Sequence, residues 1–305
     1  MYKHPIAAVI NFCSNEARFI GPCIEEARQF AKQIIVVVCD HFFDGVIENR
    51  PLLEQIYRAH PECLFLEYPF IPSEIPRRIF EDVSPAHFWH SCSRLVGASY
   101  LNEGIEAILF LDADEIPDGR AFAQWLEASD YQQNTVMKLS NYWYFREPIY
   151  QALSWEDSIV LVQTRAITHD LILHEEERDA IYNRLPGPKR RHVTGPDGEP
   201  MFHHFSWVRT KDEMLKKVCS WGHKGDRNWT ELVEREFSLP FQGTDFIHGY
   251  QYRTIEPLFD IRLEPIPFKP AAQAPHVVRL TQKDLRDLLK FKQNVFWKWL
   301  SSLLR

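Results

Sequence analysis

Residues 105–117 read IEAILFLDADEIP. The run from Ile105 to Leu111 is apolar except for Glu106, which is typical of a strand buried on both faces. Asp112 and Asp114 follow at its end, spaced so that both can reach one ligand where the strand geometry breaks. Carboxylate oxygens suit Mg²⁺ or Mn²⁺, which keep positions open for phosphate oxygens and neutralise a leaving diphosphate. This stretch therefore predicts a buried strand whose tip presents metal-binding carboxylates.

Strand-like and helix-like segments alternate before this stretch. We predict strands over 6–12, 34–38 and 63–66, and helices over 20–32, 52–59 and 88–101. Continuous apolar strands favour an α/β fold in which a mostly parallel sheet is flanked by helices. Ligands of such sheets bind beyond the carboxyl ends of the strands. Polar residues collect at those ends: Asn15, Glu16, Asp40, Asp44, Asp112, Asp114 and Glu115.

Composition narrows the classes of function. The chain has 305 residues, 45% of them hydrophobic, and a formal net charge of −7. An acidic protein is a poor partner for nucleic acid, so an anionic ligand needs a local positive group or a metal. The apolar run near the chain start is too short for a signal peptide, and no apolar run is long enough to span a bilayer. The six cysteines form no C-x-x-C pair. We expect a cytoplasmic protein.

The second half carries weaker signals. The segment 174–200 combines charge runs with proline and glycine, which predicts a mobile loop. His203 and His204 lie in a predicted strand, where only one of two neighbours faces a site; we choose His204 as a metal ligand, with a structural histidine as the alternative. We divide the chain into a catalytic domain, 1–230, and a C-terminal extension, 231–305. Its last 25 residues predict a basic amphipathic helix that packs on the domain or lies on an anionic membrane surface.

Several motifs resemble one enzyme family. Asp112-Ala113-Asp114 after its apolar strand resembles the D-x-D signature of GT-A glycosyltransferases, and residues 108–114 are similar to family two. The extension through Pro117 resembles the D-E-I-P of family seventeen, the β-1,4-N-acetylglucosaminyltransferases. Asn15-Glu16 matches the N-E of family two, and Asp40 with Asp44-Gly45 resembles its D-D-G-S-x-D-G segment. The resemblance covers about the first 120 residues in the expected order.

The resemblance implies a GT-A (Rossmann-like) fold and an inverting transfer of sugar from a nucleotide-diphosphate sugar, with a UDP-sugar favoured, to a glycan, lipid or protein hydroxyl. It implies that the donor contacts Asn15, Glu16, Asp40, Asp44, Arg94 and Asp112, and that Asp112, Asp114 and His204 hold Mn²⁺ or Mg²⁺. Glu156-Asp157 resembles the family's acceptor-side E-D motif, so these two are the candidate catalytic bases; polar surface positions are the alternative. Cys39 and His41-Phe42-Phe43 depart from the family pattern, so base and ribose recognition are expected to differ.

Two other functions compete. A nucleotidyltransferase shares an αβα core and an acidic metal site, but it would carry a glycine-rich G-x-G-T-R-like loop where residues 11–16 read NFCSNE. A catalytically silent protein could keep the fold and bind carbohydrate or nucleotide without turnover. The altered segment from Cys39 to Phe43 is the feature that favours this second alternative.

Overall fold

The computed structural model describes residues 4–74, 85–174, 176–220, 227–264 and 267–290. The strands of this described part are β1 (His4–Phe12), β2 (Ala31–Cys39), β3 (Leu64–Tyr68), β4 (Ala107–Asp112), β5 (Glu115–Pro117), β6 (Val136–Phe145), β7 (Tyr150–Gln163), β8 (Lys189–Val193), β9 (Phe202–Trp207), β10 (Tyr252–Thr254) and β11 (His276–Arg279). The helices are α1 (Ala17–Ala27), α2 (Arg50–Ala59), α3 (Pro85–Ala98), α4 (Gly119–Ala128), α5 (His169–Ile172), α6 (Glu177–Arg184), α7 (Lys211–Ser220), α8 (Trp229–Phe237) and α9 (Gln282–Lys290).

All of these strands belong to one sheet, with the order β11-β3-β2-β1-β4-β7-β6-β9-β5; β10 pairs with β7, and β8 with β6. The half from β11 to β4 is parallel throughout. Helices cover this half on both faces, so the predicted α/β class is confirmed. The other half is mixed, because β7 runs antiparallel to both β4 and β6. Only four residues connect β6 to β7, which is too few for a parallel crossover.

Two cores flank the sheet. One contains Phe19 and Ile24 of α1 with one face of β1 and β4, and the other contains Trp89 and Val96 of α3 with the opposite face. Strands buried on both sides explain why their sequences are continuously apolar. This packing fixes the carboxyl ends of β1, β2 and β4 at a common edge.

The segment 174–200, predicted as a mobile loop, instead contains α6 and β8. Strand β8 pairs in parallel with β6, and Ala180 and Ile181 of α6 are buried. Three consecutive charged residues of α6 pair with partners elsewhere in the fold: Glu177 with Arg94, Arg178 with Glu115 and Asp179 with Lys138. Their charge density belongs to an ion-paired helix rather than to an irregular loop.

The segment after residue 230 contributes to the same sheet, through β10 and β11. The boundary at 230 stays a prediction. Helix α9 forms the start of the predicted terminal helix and buries Leu285 and Leu288, while its continuation over 291–305 lies outside the described residues. Within the described ranges, no helix has the length and apolar character needed to cross a membrane.

Gly97 lets α3 approach the sheet closely. A Cβ at this position would lie 2.3 Å from Cγ1 of Val9 and 3.0 Å from Cγ2 of Val37. We expect Gly97→Ala to lower the free energy of unfolding by about 1–3 kcal/mol through overpacking. In urea titrations, the double variant with Val9→Ala should recover part of this loss, because it removes the colliding methyl group. If the stability losses of the two single variants simply add up in the double variant, the close approach of α3 to the sheet is contradicted.

Candidate functional site

Two adjoining cavities lie at the carboxyl edge of the parallel strands. The smaller, about 300 Å³, is lined by residues that include Asn11, Glu16, Asp112, Asp114 and His204. The larger, about 520 Å³, opens beside it. The two share the following lining residues: Cys13, Glu16, Phe42, Phe43, His90 and Lys217. The sheet edge predicted to bind a ligand therefore carries a two-part cavity.

Asp114 and His204 meet through strand pairing. Strand β5 pairs antiparallel with β9, with Glu115 opposite His204, and the amide of Phe205 donates to the carbonyl of Asp114 at 2.8 Å. Nε2 of His204 lies 3.6 Å from Oδ1 of Asp114. Two ligands of one octahedral Mg²⁺ at right angles lie about 3 Å apart, so this separation suits a shared cation.

The neighbouring histidine faces the other side of β9. Nδ1 of His203 lies 2.8 Å from the hydroxyl of Tyr144, and burial lowers the pKa of His203 to about 3. The alternation of side chains along a strand thus gives one histidine to the cavity and one to the core. The structure places His204, the residue chosen from the sequence, at the cavity.

Three buried polar atoms around the smaller cavity have no hydrogen-bond partner among the described residues: Oδ1 of Asp114, Nδ1 of His204 and Oε2 of Glu16. Burial, and then the carboxylate of Glu16, raise the pKa of Asp114. An unsatisfied buried polar atom is costly, which marks a place where a ligand or ion would restore the missing interaction. The pair of atoms close enough to share a divalent cation is Oδ1 of Asp114 with Nε2 of His204.

No group of three histidine, cysteine or acidic side chains arranged to hold a metal occurs in the described part of the chain. A cation at Asp114 and His204 would therefore take its remaining ligands from water and from a bound diphosphate. Mg²⁺ and Mn²⁺ sites that serve phosphate transfer chemistry are commonly of this kind.

Asp112 is held differently from Asp114. Its carboxylate accepts a hydrogen bond from Nδ2 of Asn11 at 3.3 Å and one from Nη2 of Arg178 at 3.3 Å, and it lies 3.6 Å from Nη2 of Arg94. Burial alone would raise the pKa of Asp112, but the two guanidinium groups outweigh burial and hold it well below its usual range. The first aspartate of the motif is therefore already neutralised by protein cations.

Arg178 was not found from the sequence. Its Nη1 and Nη2 donate to the two oxygens of Glu115, at 2.5 and 2.9 Å. Glu115 is fully buried, and it also accepts from the amide of Asp112 and from Oγ of Ser158, both at 2.9 Å. Arg178 lies in the segment predicted as a loop, where no periodicity or motif distinguishes it from the neighbouring charged residues.

The other predicted donor residues fall into two groups. Asn15, Glu16 and Asp44 line the larger cavity. Arg94 does not line either of the two cavities, and instead bridges Asp112 and Glu177, whose Oε2 lies 2.8 Å from its Nη1. Asp40 is absent from both linings as well, and its Oδ1 accepts from the amide of Phe70 at 2.7 Å.

Cations of α7 and its neighbourhood supply positive charge to the cavities. Lys217 lines both, and its Nζ donates to Oγ of Ser206 at 2.8 Å. Lys216 and Arg209 line the larger cavity, where Arg209 pairs with Glu16. The acidic protein thus carries the local positive charge that an anionic ligand requires. The sequence offered only the capped start of this helix as a signal.

Glu156 and Asp157 line a third cavity of about 650 Å³, which shares His87 and Glu177 with the larger of the first two. Asp157 is ion-paired with Arg191 at 2.5 Å and with Lys138 at 3.7 Å. Burial would raise the pKa of Asp157, but these cations lower it overall. Oε1 of Glu156 accepts a hydrogen bond of 2.8 Å from the neutral hydroxyl of Tyr250.

The sequence matches no protein-family profile and no curated protein. Among solved structures, the chain is similar to a Mycobacterium tuberculosis rv0371c homolog from Mycobacterium sp. strain JC1, with a TM-score of 0.38 and 12% identity over 65% of this chain and 90% of that one. It is also similar to an active-site mutant of LgtC, with a TM-score of 0.38 and 12% identity over 75% of this chain and 95% of the other.

A third similar structure is the glycosyltransferase GlyE of Streptococcus pneumoniae TIGR4, with a TM-score of 0.38 and 11% identity over 78% of this chain. This chain spans 64% of GlyE, which is less than two thirds of its length. At TM-scores this low, the likenesses carry no functional argument.

Arg178 is expected to stabilise the fold by compensating the negative charge of buried Glu115. Arg178→Met would leave the buried Glu115 without a cation, which should lower the free energy of unfolding by about 3–5 kcal/mol. Arg184→Met is the matched control on the same helix, because Arg184 is exposed and pairs with exposed Glu176. Its loss should stay within about 1 kcal/mol. Equal losses in chemical denaturation would contradict the role given to Arg178.

Proposed function

We propose that this protein is a metal-dependent glycosyltransferase that transfers a sugar from a nucleotide-diphosphate sugar to an acceptor hydroxyl with inversion. The observation that carries the proposal is the unsatisfied buried Oδ1 of Asp114, which lies 3.6 Å from Nε2 of His204 at one cavity beside Lys217 of α7. Carboxylate and imidazole ligands together suit Mn²⁺, with Mg²⁺ as the alternative. UDP-sugars are the favoured donors, on the resemblance of the D-x-D segment.

The chain's own residues divide the work of donor binding. Asp114 and His204 would hold the cation, which when bound supplies positive charge to the leaving diphosphate. Asp112 is oriented by Arg94 and Arg178 and stays ionised, so it can accept a hydrogen bond from a ribose hydroxyl. Lys217 lines both cavities and would add charge beside the diphosphate.

Glu156 is the better candidate base of the two predicted acids. Transfer with inversion forms a bond between the acceptor oxygen and the anomeric carbon, breaks the bond from that carbon to the diphosphate oxygen, and passes the hydroxyl proton to a carboxylate. Two cations engage the carboxylate of Asp157, which makes it a weak proton acceptor. Glu156 accepts a hydrogen bond from the neutral phenol of Tyr250. The cavity that Glu156 lines adjoins the donor cavity through His87 and Glu177.

The metal site is tested by titrating Mn²⁺ and following the free ion by electron paramagnetic resonance. Asp114→Asn and His204→Gln should each weaken Mn²⁺ binding by on the order of 100-fold, because each removes a ligand. His203→Gln is the matched control, since His203 faces the core, and its Mn²⁺ affinity should match that of the unmodified protein. Unchanged affinity in the Asp114 variant would refute the metal site.

The base is tested by following release of UDP from UDP-sugars in the presence of p-nitrophenyl glycosides as acceptors. Glu156→Gln should slow release by about 10²–10⁴-fold while leaving UDP affinity unchanged, because only proton transfer is lost. Asp157→Asn is the comparison. Full turnover by the Glu156 variant together with loss in the Asp157 variant would move the role of base to Asp157.

A further inference from the structure

The loop after β2 is a braced hairpin. The amide of Phe42 donates to the carbonyl of Val46 at 2.7 Å, and the amide of Gly45 donates back to the carbonyl of Phe42 at 2.8 Å. Gly45 has φ +89, a conformation that side chains rarely adopt. Buried Glu48 ties the loop to the end of β1, because both of its carboxylate oxygens lie 3.2 Å from the amide of Ser14. The loop is therefore held in place before any ligand arrives.

This hairpin presents two aromatic rings to the donor cavities. Phe42 and Phe43 are half-buried, and both line the smaller and the larger cavity. The ring of Phe43 packs edge-on against His90 at 4.8 Å between centroids, and Nζ of Lys216 lies 5.0 Å from the ring centroid of Phe42. Val46, Leu52 and Phe268 continue the apolar wall of the larger cavity. Such a wall suits the flat face of a nucleobase.

The carboxylate expected to contact the nucleoside is used elsewhere. Oδ1 of Asp40 accepts from the amide of Phe70 at 2.7 Å and lies 2.7 Å from Nδ1 of His41. This carboxylate joins the start of the hairpin to the segment after β3, and it lines neither donor cavity. In this chain Asp40 is placed as a structural bracket.

We propose that Phe42 and Phe43 form the base-binding platform and that the site accepts purine and pyrimidine nucleoside diphosphates alike. Every base has a π face, so a site that binds by stacking discriminates little between bases, unlike one that reads their hydrogen-bonding edges. The platform rests on the proposed function, because it assumes that a nucleoside diphosphate occupies these cavities. It makes the hairpin, rather than Asp40, the part of the chain that binds the nucleobase.

The platform is tested by calorimetric titration of UDP, GDP, ADP and inorganic pyrophosphate in the presence of Mn²⁺. UDP and GDP should bind within about tenfold of each other. Phe42→Leu and Phe43→Leu should each weaken all three nucleotides by about tenfold or more and leave pyrophosphate unchanged, because only stacking is lost. Asp40→Asn is the control, which should bind nucleotides as the unmodified protein does, because asparagine keeps an oxygen that can accept from the amide of Phe70.

Several results would contradict the proposed platform, and they can be told apart. A preference for UDP over GDP of more than about 100-fold, or a loss in Asp40→Asn equal to that in the phenylalanine variants, would overturn the platform. Equal weakening of pyrophosphate and nucleotides by Phe43→Leu would also overturn it, since the ring would then act on the diphosphate. Binding of UDP and GDP that both phenylalanine variants leave unchanged overturns the platform alone. Failure of all three nucleotides to bind overturns the proposed function together with the platform.

Discussion

Electrostatic repulsion between neighbouring carboxylates is the main constraint on the structure at the carboxyl end of β4. Asp112, Asp114, Glu115 and Glu16 converge there within an acidic protein, and like charges at close range in a low dielectric repel strongly. Arg178 and Arg94 compensate Asp112 and Glu115, while Arg209 compensates Glu16. Asp114 has His204 at 3.6 Å, and Lys217 acts on it from the same cavity. Helix α6, the segment after β9 and the C-terminal half of α7 bring Arg178, Arg209 and Lys217 to this edge.

The uneven compensation gives the two aspartates of one short motif different properties. Asp112 is pinned in its ionised form, so its geometry and charge are set before a ligand binds. Asp114 retains an unsatisfied oxygen, and burial with a like-charged neighbour raises its pKa, so a cation would stabilise its ionised form. In a site preorganised in this way, little binding free energy is lost to ordering the protein's own side chains. The affinity for a cation is then determined mainly by Asp114, whose charge is not fully compensated.

A buried parallel strand delivers the residues after it to one edge of the sheet, which is what the sequence predicted for the strand ends. The structure places Asn15 and Glu16 at the larger cavity of that edge, and Asp112 and Asp114 at the smaller one. The sequence did not predict the partner of a side chain that has several to choose from. Asp40 follows β2 as expected, yet its carboxylate turns to the amide of Phe70, 30 residues away in the sequence. Such partners depend on local loop geometry, which leaves no periodic pattern of apolar residues in the sequence.

The sequence by itself determined the α/β class, the buried strand and the two aspartates at its tip, because burial on both faces imposes a continuous apolar run. It also offered His204 as one of two adjacent histidines. Only the tertiary structure decided that β5 pairs with β9 and sets His204 beside Asp114, and that α6 carries Arg178 onto Glu115 across 63 residues of chain. The physical reason is that apolar periodicity is a local property of the chain, whereas the partner of a buried charge is chosen by the packing of the whole fold.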